Sequence, residues 1–454
     1  MPDPSPALAR GRQLTYLGLA AAVTVPGVAF SRVHPDLHDA LLALVFGVAV
    51  IGAAFLLSWA AEVAQLDISA GLAIAVLAFI AVLPEYAVGL VFALKGGHAA
   101  AVHGPACQSA AARMAGDDSP CSLALANMTG SNRLLIGVGW ALVVFIAWRQ
   151  YRKRGTRVAR GTGGVPPISA AGAATYSVEL ERSHSVELGF LSVATLYSLT
   201  LPLKRTISLV DAVILIAIFA AYMVRISKAP AEEPDLVGPA ALIGTFSVVR
   251  RRAAVVGLFV VAALVILACA EPFAEALVDT GRTFGISEFL LVQWLAPLAS
   301  EAPELLVAGL YAWRLNTNAG LGTLVSSKVN QWTLLIGTLP IAFAIASGSL
   351  HGLPIIARQR EEILLTAAQS LFAVATLCSL SLSVREAGLL FSLFWAQFLT
   401  GAFAPDHRHG LQLLAFSGIY LLLAARILAK DRRALPTLVK DGFRRPYAQL
   451  ADDG

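Results

Sequence analysis

About twelve runs of mostly apolar residues, most of them long enough to span a bilayer, take up most of this chain: 15–32, 39–64, 68–95, 121–148, 187–203, 206–225, 252–278, 287–313, 321–347, 361–382, 386–403 and 410–429. A helix of about 20 residues rises about 30 Å, the thickness of the hydrocarbon layer of a bilayer. Inside lipid the backbone must bond to itself, so such runs imply helices. Composition excludes the soluble alternative. Only 14% of the 454 residues are charged and mean hydropathy is +0.71, whereas a soluble domain has about a quarter of its residues charged. The expected fold class is all-α, a polytopic membrane protein of about twelve transmembrane helices. Ten of them would form the core, with one flanking helix at each end. Met1 to Gln13 is polar, and the first apolar run shows no cleavage site of a signal peptide.

Basic residues mark orientation. Arg149 to Arg160 holds six basic residues and no acid, Arg250 to Arg252 precedes the seventh run, and six more basic residues lie between Lys430 and Arg445. Basic loops stay in the cytoplasm, and with twelve spans all three fall on one side. Both termini are then cytoplasmic, in a multi-pass protein of the bacterial inner-membrane type. The net charge of +5 is spread over these loops, so it signals topology and not a nucleic-acid partner. The expected partners are the bilayer and transported cations, with no cofactor. Oligomeric state is not legible.

The same orientation puts the polar insert 96–120 outside. It holds Cys107, Asp117 and Asp118, and Cys121 directly follows it. A disulfide and two free thiols both remain open there. Cys269 and Cys378 lie in apolar runs as ordinary core residues. Residues 226–250, with Pro230, Pro234, Pro239, Glu232, Glu233 and Asp235, read as a cytoplasmic linker, and 161–186 reads as a surface helix. The expected divisions are 1–38 with the first span, 39–225 as a first five-helix repeat, 226–251 as linker, 252–403 as a second repeat, and 404–454 with the last span and a basic tail.

The two halves share landmarks. Asp67-Ile68-Ser69, Leu83-Pro84-Glu85 and Gly130-Ser131-Asn132 in the first correspond to Gly285-Ile286-Ser287, Ala302-Pro303-Glu304 and Ser326-Ser327-Lys328 in the second. Ile68 to Glu85 is 17 residues and Ile286 to Glu304 is 18; Glu85 to Ser131 is 46 and Glu304 to Ser327 is 23. The difference of 23 is about the size of the polar insert 96–120, which spans 25 residues. The run 68–95 goes outward and 287–313 inward, so the repeat is inverted, as in many secondary transporters. A proline inside a spanning helix frees carbonyl groups that can coordinate a cation, and the neighbouring glutamate adds charge.

These segments, Ile80 to Glu85 with Ala126 to Asn132 and Ala299 to Glu304 with Gly322 to Lys328, resemble the two α-repeats of the Ca²⁺/cation antiporter superfamily, which includes the sodium/calcium exchangers. The resemblance covers roughly 62–148 and 271–347, and more loosely 39–403. It implies Glu85 and Glu304 as principal cation ligands, Asn127 and Thr323 as their partners on the following helices, and Ser300 at the position of the family threonine. Glu301, Ser131 and Ser327 complete the candidate ligands. Ala81 and Val82 replace two oxygen-bearing residues of the family pattern.

Arg133 and Lys328 stand in apolar runs, where an unpaired charge costs several kcal/mol. They should compensate acids, most simply Glu85, Glu301 or Glu304. With both paired, the site's net charge falls to about −1, which suits Na⁺ or H⁺ better than Ca²⁺, a cation of six to eight hard oxygens. Glu62, Glu271 and Glu275 read as interfacial, and His184, His351, His407 and His409 as loop residues in water. The expected function is a secondary active antiporter exchanging Ca²⁺ for Na⁺ or H⁺ by alternating access between the repeats. The alternatives are Na⁺ or K⁺ exchange for H⁺, and a non-transporting receptor or scaffold. An enzyme is disfavoured, since no zinc motif, nucleophile elbow or phosphate loop occurs.

Overall fold

A computed structural model describes residues 6–67, 83–115, 118–161, 176–229, 236–403 and 406–452. Helices dominate them. The first half has α1 (Pro6–Ala22), α2 (Thr24–Val33), α3 (Asp39–Ala64), α4 (Leu83–His103), α5 (Ala110–Ala115), α6 (Pro120–Leu134), α7 (Ala141–Gly161), α8 (Ser185–Ser198) and α9 (Leu209–Ile226). After the short α10 (Pro239–Gly244) come α11 (Val248–Phe284), α12 (Glu288–Arg314), α13 (Thr317–Asn330), α14 (Ile336–Ser347), α15 (Ala357–Thr376), α16 (Val384–Phe403), α17 (Asp406–Lys430), α18 (Leu435–Phe443) and α19 (Tyr447–Asp452).

Eight stretches among the described residues are long and apolar enough to cross a membrane: Arg10–Val33, Asp39–Ala64, Pro120–Lys153, Arg182–Leu203, Leu209–Ile226, Val248–Phe284, Thr317–Ser347 and Arg408–Lys430. The expected run 39–64 coincides with α3. The runs 287–313, 361–382 and 386–403 are also helical, as α12, α15 and α16, but carry more polar residues. Of the run 68–95, residues 68–82 lie outside the described ones.

One expectation needs correction. Ser177–Glu179 is not surface helix but a strand, β1, paired antiparallel with β2 (Ser381–Ser383), Val178 opposite Leu382. Both central residues are buried between more exposed serines and a glutamate, the alternation of a half-buried strand; residues 162–175 of that segment lie outside the described ones. The segment read as a linker carries α10, and Glu62 accepts a hydrogen bond from the backbone N–H of Val237 at 3.2 Å. Its residues 230–235, like Asp117 of the insert, lie outside the described ones.

Contacts group the chain into two units. The first comprises Met1–Ser131, Ile226–Pro303 and Thr338–Leu353. In it α11 packs along α3, and also against α2 and α4. Small residues permit this: a side chain at Gly27 would meet Cβ of Ala49 at 2.4 Å, and one at Gly47 the ring of Phe273 at 3.1 Å. Lipid offers helices no hydrophobic incentive to associate, so close backbone approach supplies the contact. Polar ties hold the helix ends. Arg251 grips Asp67 with two hydrogen bonds of 2.7 Å, and Lys95 pairs with Glu271 at 3.3 Å and Glu275 at 2.5 Å. Cys107 and Cys121 form a disulfide. It walls a cavity of about 430 Å³ that Lys95, His103, Asp118, Glu275 and Arg282 also line.

The second unit comprises Asn132–Arg225, Glu304–Gly337 and Pro354–Gly454. Here α15 packs against α17 and α8, with the rings of Phe372 and Tyr420 5.8 Å apart. The C-terminal α18 lies on α8 through Phe443 and Phe190, and Arg225 donates to the carbonyls of Asp441 and Gly442. Two π-helical turns also lie in this unit, Leu135–Trp140 between α6 and α7 and Gln331–Leu335 between α13 and α14. Each opens four residues after the serine landmark of its repeat, Ser131 or Ser327. A π-turn wastes hydrogen-bond geometry and is common at functional positions.

Candidate functional site

In the first unit Glu85 lies in the first turn of the described α4 and is 4% exposed. Asn127, on α6, donates from Nδ2 to the Glu85 carbonyl at 3.4 Å. That turns Oδ1 of Asn127 elsewhere, and it has no hydrogen-bond partner among the described residues. Neither has the buried hydroxyl oxygen of Ser131. Buried oxygens left without donors cost about 1–3 kcal/mol each. The same oxygens are hard ligands suited to a cation. Of the first repeat's polar segment, Ala81 and Val82 lie outside the described residues.

The facing helix α12 carries Pro297 and Pro303 and runs through both as one helix, so the second Pro-Glu segment does not interrupt it. Pro297 has no N–H to offer the Gln293 carbonyl. Gly130 sits on that carbonyl: a Cβ at Gly130 would stand 1.7 Å from the oxygen, so only glycine fits. Beside this contact Gln293 donates from Nε2 to the Thr129 hydroxyl at 3.2 Å. Ser300 turns its hydroxyl back to the Pro297 carbonyl at 3.2 Å, and Glu301 is buried.

In the second unit the half-buried Glu304 accepts a hydrogen bond from the Ser327 hydroxyl at 2.6 Å. Thr323 is exposed and bonds the Ala319 carbonyl of its own helix at 2.8 Å. Lys328 is fully buried; its Nζ donates to Oδ1 of Asn132 at 2.6 Å and to the Asn132 carbonyl, and lies 5.3 Å from the ring centre of Trp332.

Arg133 takes a partner that the repeat acids do not include. Its Nη1 donates to Glu362 on α15 at 2.7 Å, and its Nη2 to Gln397 on α16. Gln369 donates to the Arg133 carbonyl at 3.3 Å, and His409 lies 4.0 Å from the other Glu362 oxygen. Both charged partners are nearly inaccessible to solvent. Glu362 escapes a sequence search because it is the second residue of the run 361–382, a place that reads as a membrane rim. In the folded chain α15 starts at Ala357, which carries Glu362 inward by more than a turn. His409, in α17, and His184, 3.7 Å from Glu187, are therefore not loop residues in water.

Within each unit, then, a repeat glutamate stands with a polar residue of the next helix, Glu85 with Asn127 and Glu304 with Ser327. Membrane-spanning helices, two related sets of landmarks and paired π-turns define a polytopic α-helical membrane protein built on an internal repeat. The family model described as sodium/calcium exchanger protein matches residues 38–228 and 254–404, and the chain belongs to that family of membrane transporters. Its structure is similar to the crystal structure of an H⁺/Ca²⁺ exchanger, CAX, with a TM-score of 0.81 and 39% sequence identity over 98% of this chain and 99% of that one. It is similar in fold to native YfkE, with a TM-score of 0.57 and 16% identity over 90% of this chain and 100% of that one. No curated protein matches the chain by sequence.

Proposed function

We propose that this chain is a secondary active antiporter that exchanges Ca²⁺ for H⁺, with Glu85 and Glu304 as principal cation ligands. The observation that carries the reading is that each of the two equivalent glutamates meets a polar side chain of the polar segment that follows it: the Glu85 carbonyl meets Asn127, and the Glu304 carboxylate meets Ser327, the counterpart of Ser131. Glu301, Ser300, Asn127, Ser131 and Ser327 supply further hard oxygens, while Thr323, exposed and bonded to its own helix, is the weakest of the ligands first expected. The ion pair of Arg133 with Glu362 also bears on the cation. With Glu362 answering its charge, Arg133 does not need the repeat carboxylates for neutralisation, and the charge argument against Ca²⁺ loses half its force.

In this mechanism Ca²⁺ binds when the glutamates are ionised and leaves when they take up protons. Rocking of the repeats exposes the ligands to each side in turn. The choice of H⁺ over Na⁺ is supported by the 39% identity to a solved H⁺/Ca²⁺ exchanger. Both termini and the basic loops lie in the cytoplasm.

The test is ⁴⁵Ca²⁺ uptake into proteoliposomes under an imposed pH gradient, with a Na⁺ gradient as the alternative drive. Uptake should follow the pH gradient and fall to background in Glu85→Gln and in Glu304→Gln. Uptake that survives both substitutions would refute the ligand assignment. Na⁺-driven uptake, or Na⁺/H⁺ exchange without Ca²⁺ movement, would refute the ion assignment.

A further inference from the structure

Asn132 and Lys328 occupy the same position of the two repeats. Each follows the landmark serine, Ser131 or Ser327, and from each the π-turn begins three residues on, at Leu135 and Gln331. They also touch each other, through Nζ of Lys328 and two oxygens of Asn132. Equivalent positions of a twofold-related pair meet only near the axis that relates them. Lys328 therefore lies close to the axis of the internal repeat.

Its surroundings are those of a small monovalent cation. An amide oxygen and a backbone carbonyl approach the ammonium, and the face of Trp332 lies 5.3 Å away. Trp332 is fully buried, and its Nε1 is anchored on the Ser370 hydroxyl at 2.6 Å. Ser327, the residue before Lys328, holds Glu304. An ammonium and a Na⁺ carry the same charge and seek the same oxygens. The ammonium is tethered, so it competes for those oxygens at an effective concentration of about millimolar or more, whatever the salt outside.

We propose that Lys328 is a built-in cation that fills a Na⁺ position beside Asn132, excludes Na⁺ and so confines coupling to protons. Lys328 is then a specificity-determining residue. The inference rests on the reading of this chain as a Ca²⁺/H⁺ exchanger. An asparagine at 328 would match Asn132, and the pair would offer two amide oxygens in place of a charge.

The test measures ⁴⁵Ca²⁺ uptake driven by a pH gradient, with choline replaced by Na⁺, and Na⁺ binding by the thermal unfolding of detergent-purified protein. Wild-type uptake should change less than about twofold with Na⁺, as should Lys328→Arg, while Lys328→Asn and Lys328→Gln should respond by about tenfold or more. Na⁺ should raise the unfolding temperature of the two amide variants and not that of the wild type. A wild type that is already stabilised, inhibited or driven by Na⁺ overturns the proposal, and this arm needs no variant. Amide variants as indifferent to Na⁺ as the wild type, in uptake or in unfolding, also overturn it. Should the wild type move no Ca²⁺ under a pH gradient, the exchanger reading fails, and the unfolding arm still decides what Lys328 does.

Discussion

Arg133 and Glu362 show what one buried charge demands. Removing one partner of a buried ion pair costs about 3–5 kcal/mol, because the other charge is left in a poor solvent. Glu362→Gln should therefore lower the unfolding temperature of the purified protein steeply, and Arg133→Met with Glu362→Met should recover most of the loss. A mild single-variant effect would show that water reaches the pair. Gly130 makes a steric demand of another kind. Gly130→Ala forces α6 off the Gln293 carbonyl and should cost about 1–3 kcal/mol or more. Gly418→Ala, where nothing lies within 4 Å, should cost nothing in the same melting assay. Sequence singles out the repeat glutamates and their neighbours as candidates because the repeat doubles the signal. It hides Glu362, Gln397 and Gln293, whose partners are 229, 264 and 164 residues away. A lone polar residue in an apolar run carries no mark of the distant group that it meets.

Helix positions followed from apolar length, since a spanning helix must be about as long as the bilayer is thick. What escaped were elements whose cause is remote. β1 and β2 are three residues each and form only because each finds the other across the second unit. The π-turns have no composition of their own, although their common offset from the landmark serines supports the repeat. Asp67 is a polar tie that can be tested by pH. The hydrogen bond from Arg251, with help from its charge and from Arg252, holds the Asp67 carboxyl below the usual aspartate range. A lowered value means that the tie is fully formed above about pH 4, the value of a free aspartate, and is lost as pH falls through the lower folded value. Wild-type protein should then lose stability faster than Arg251→Gln as melting is followed from pH 5 to pH 3. Parallel curves would mean that the tie adds no stability.

For the whole molecule, the proposed orientation puts the basic loops and the polar insert on opposite sides of the membrane. That orientation underlies the reading of the repeat as inverted, because one pair of equivalent helices must run in opposite directions. The disulfide of the insert is consistent with it, since disulfides persist on oxidising sides of membranes. The four cysteines provide the test. Cys269 and Cys378 are buried within α11 and beside the end of α15, whereas Cys107 lines the cavity of the insert and is bonded to Cys121, so a charged maleimide should react with these two, and only after reduction. Intact cells treated with an impermeant reductant and then with the maleimide should be labelled. Unreduced cells and the Cys107→Ser, Cys121→Ser double variant should not. A reporter active only in the cytoplasm should work when fused to the C-terminus. Labelling that appears only after lysis would place the insert inside. It would also reverse the direction in which Ca²⁺ and protons approach Glu85 and Glu304, while leaving the repeat and its ligands as they are.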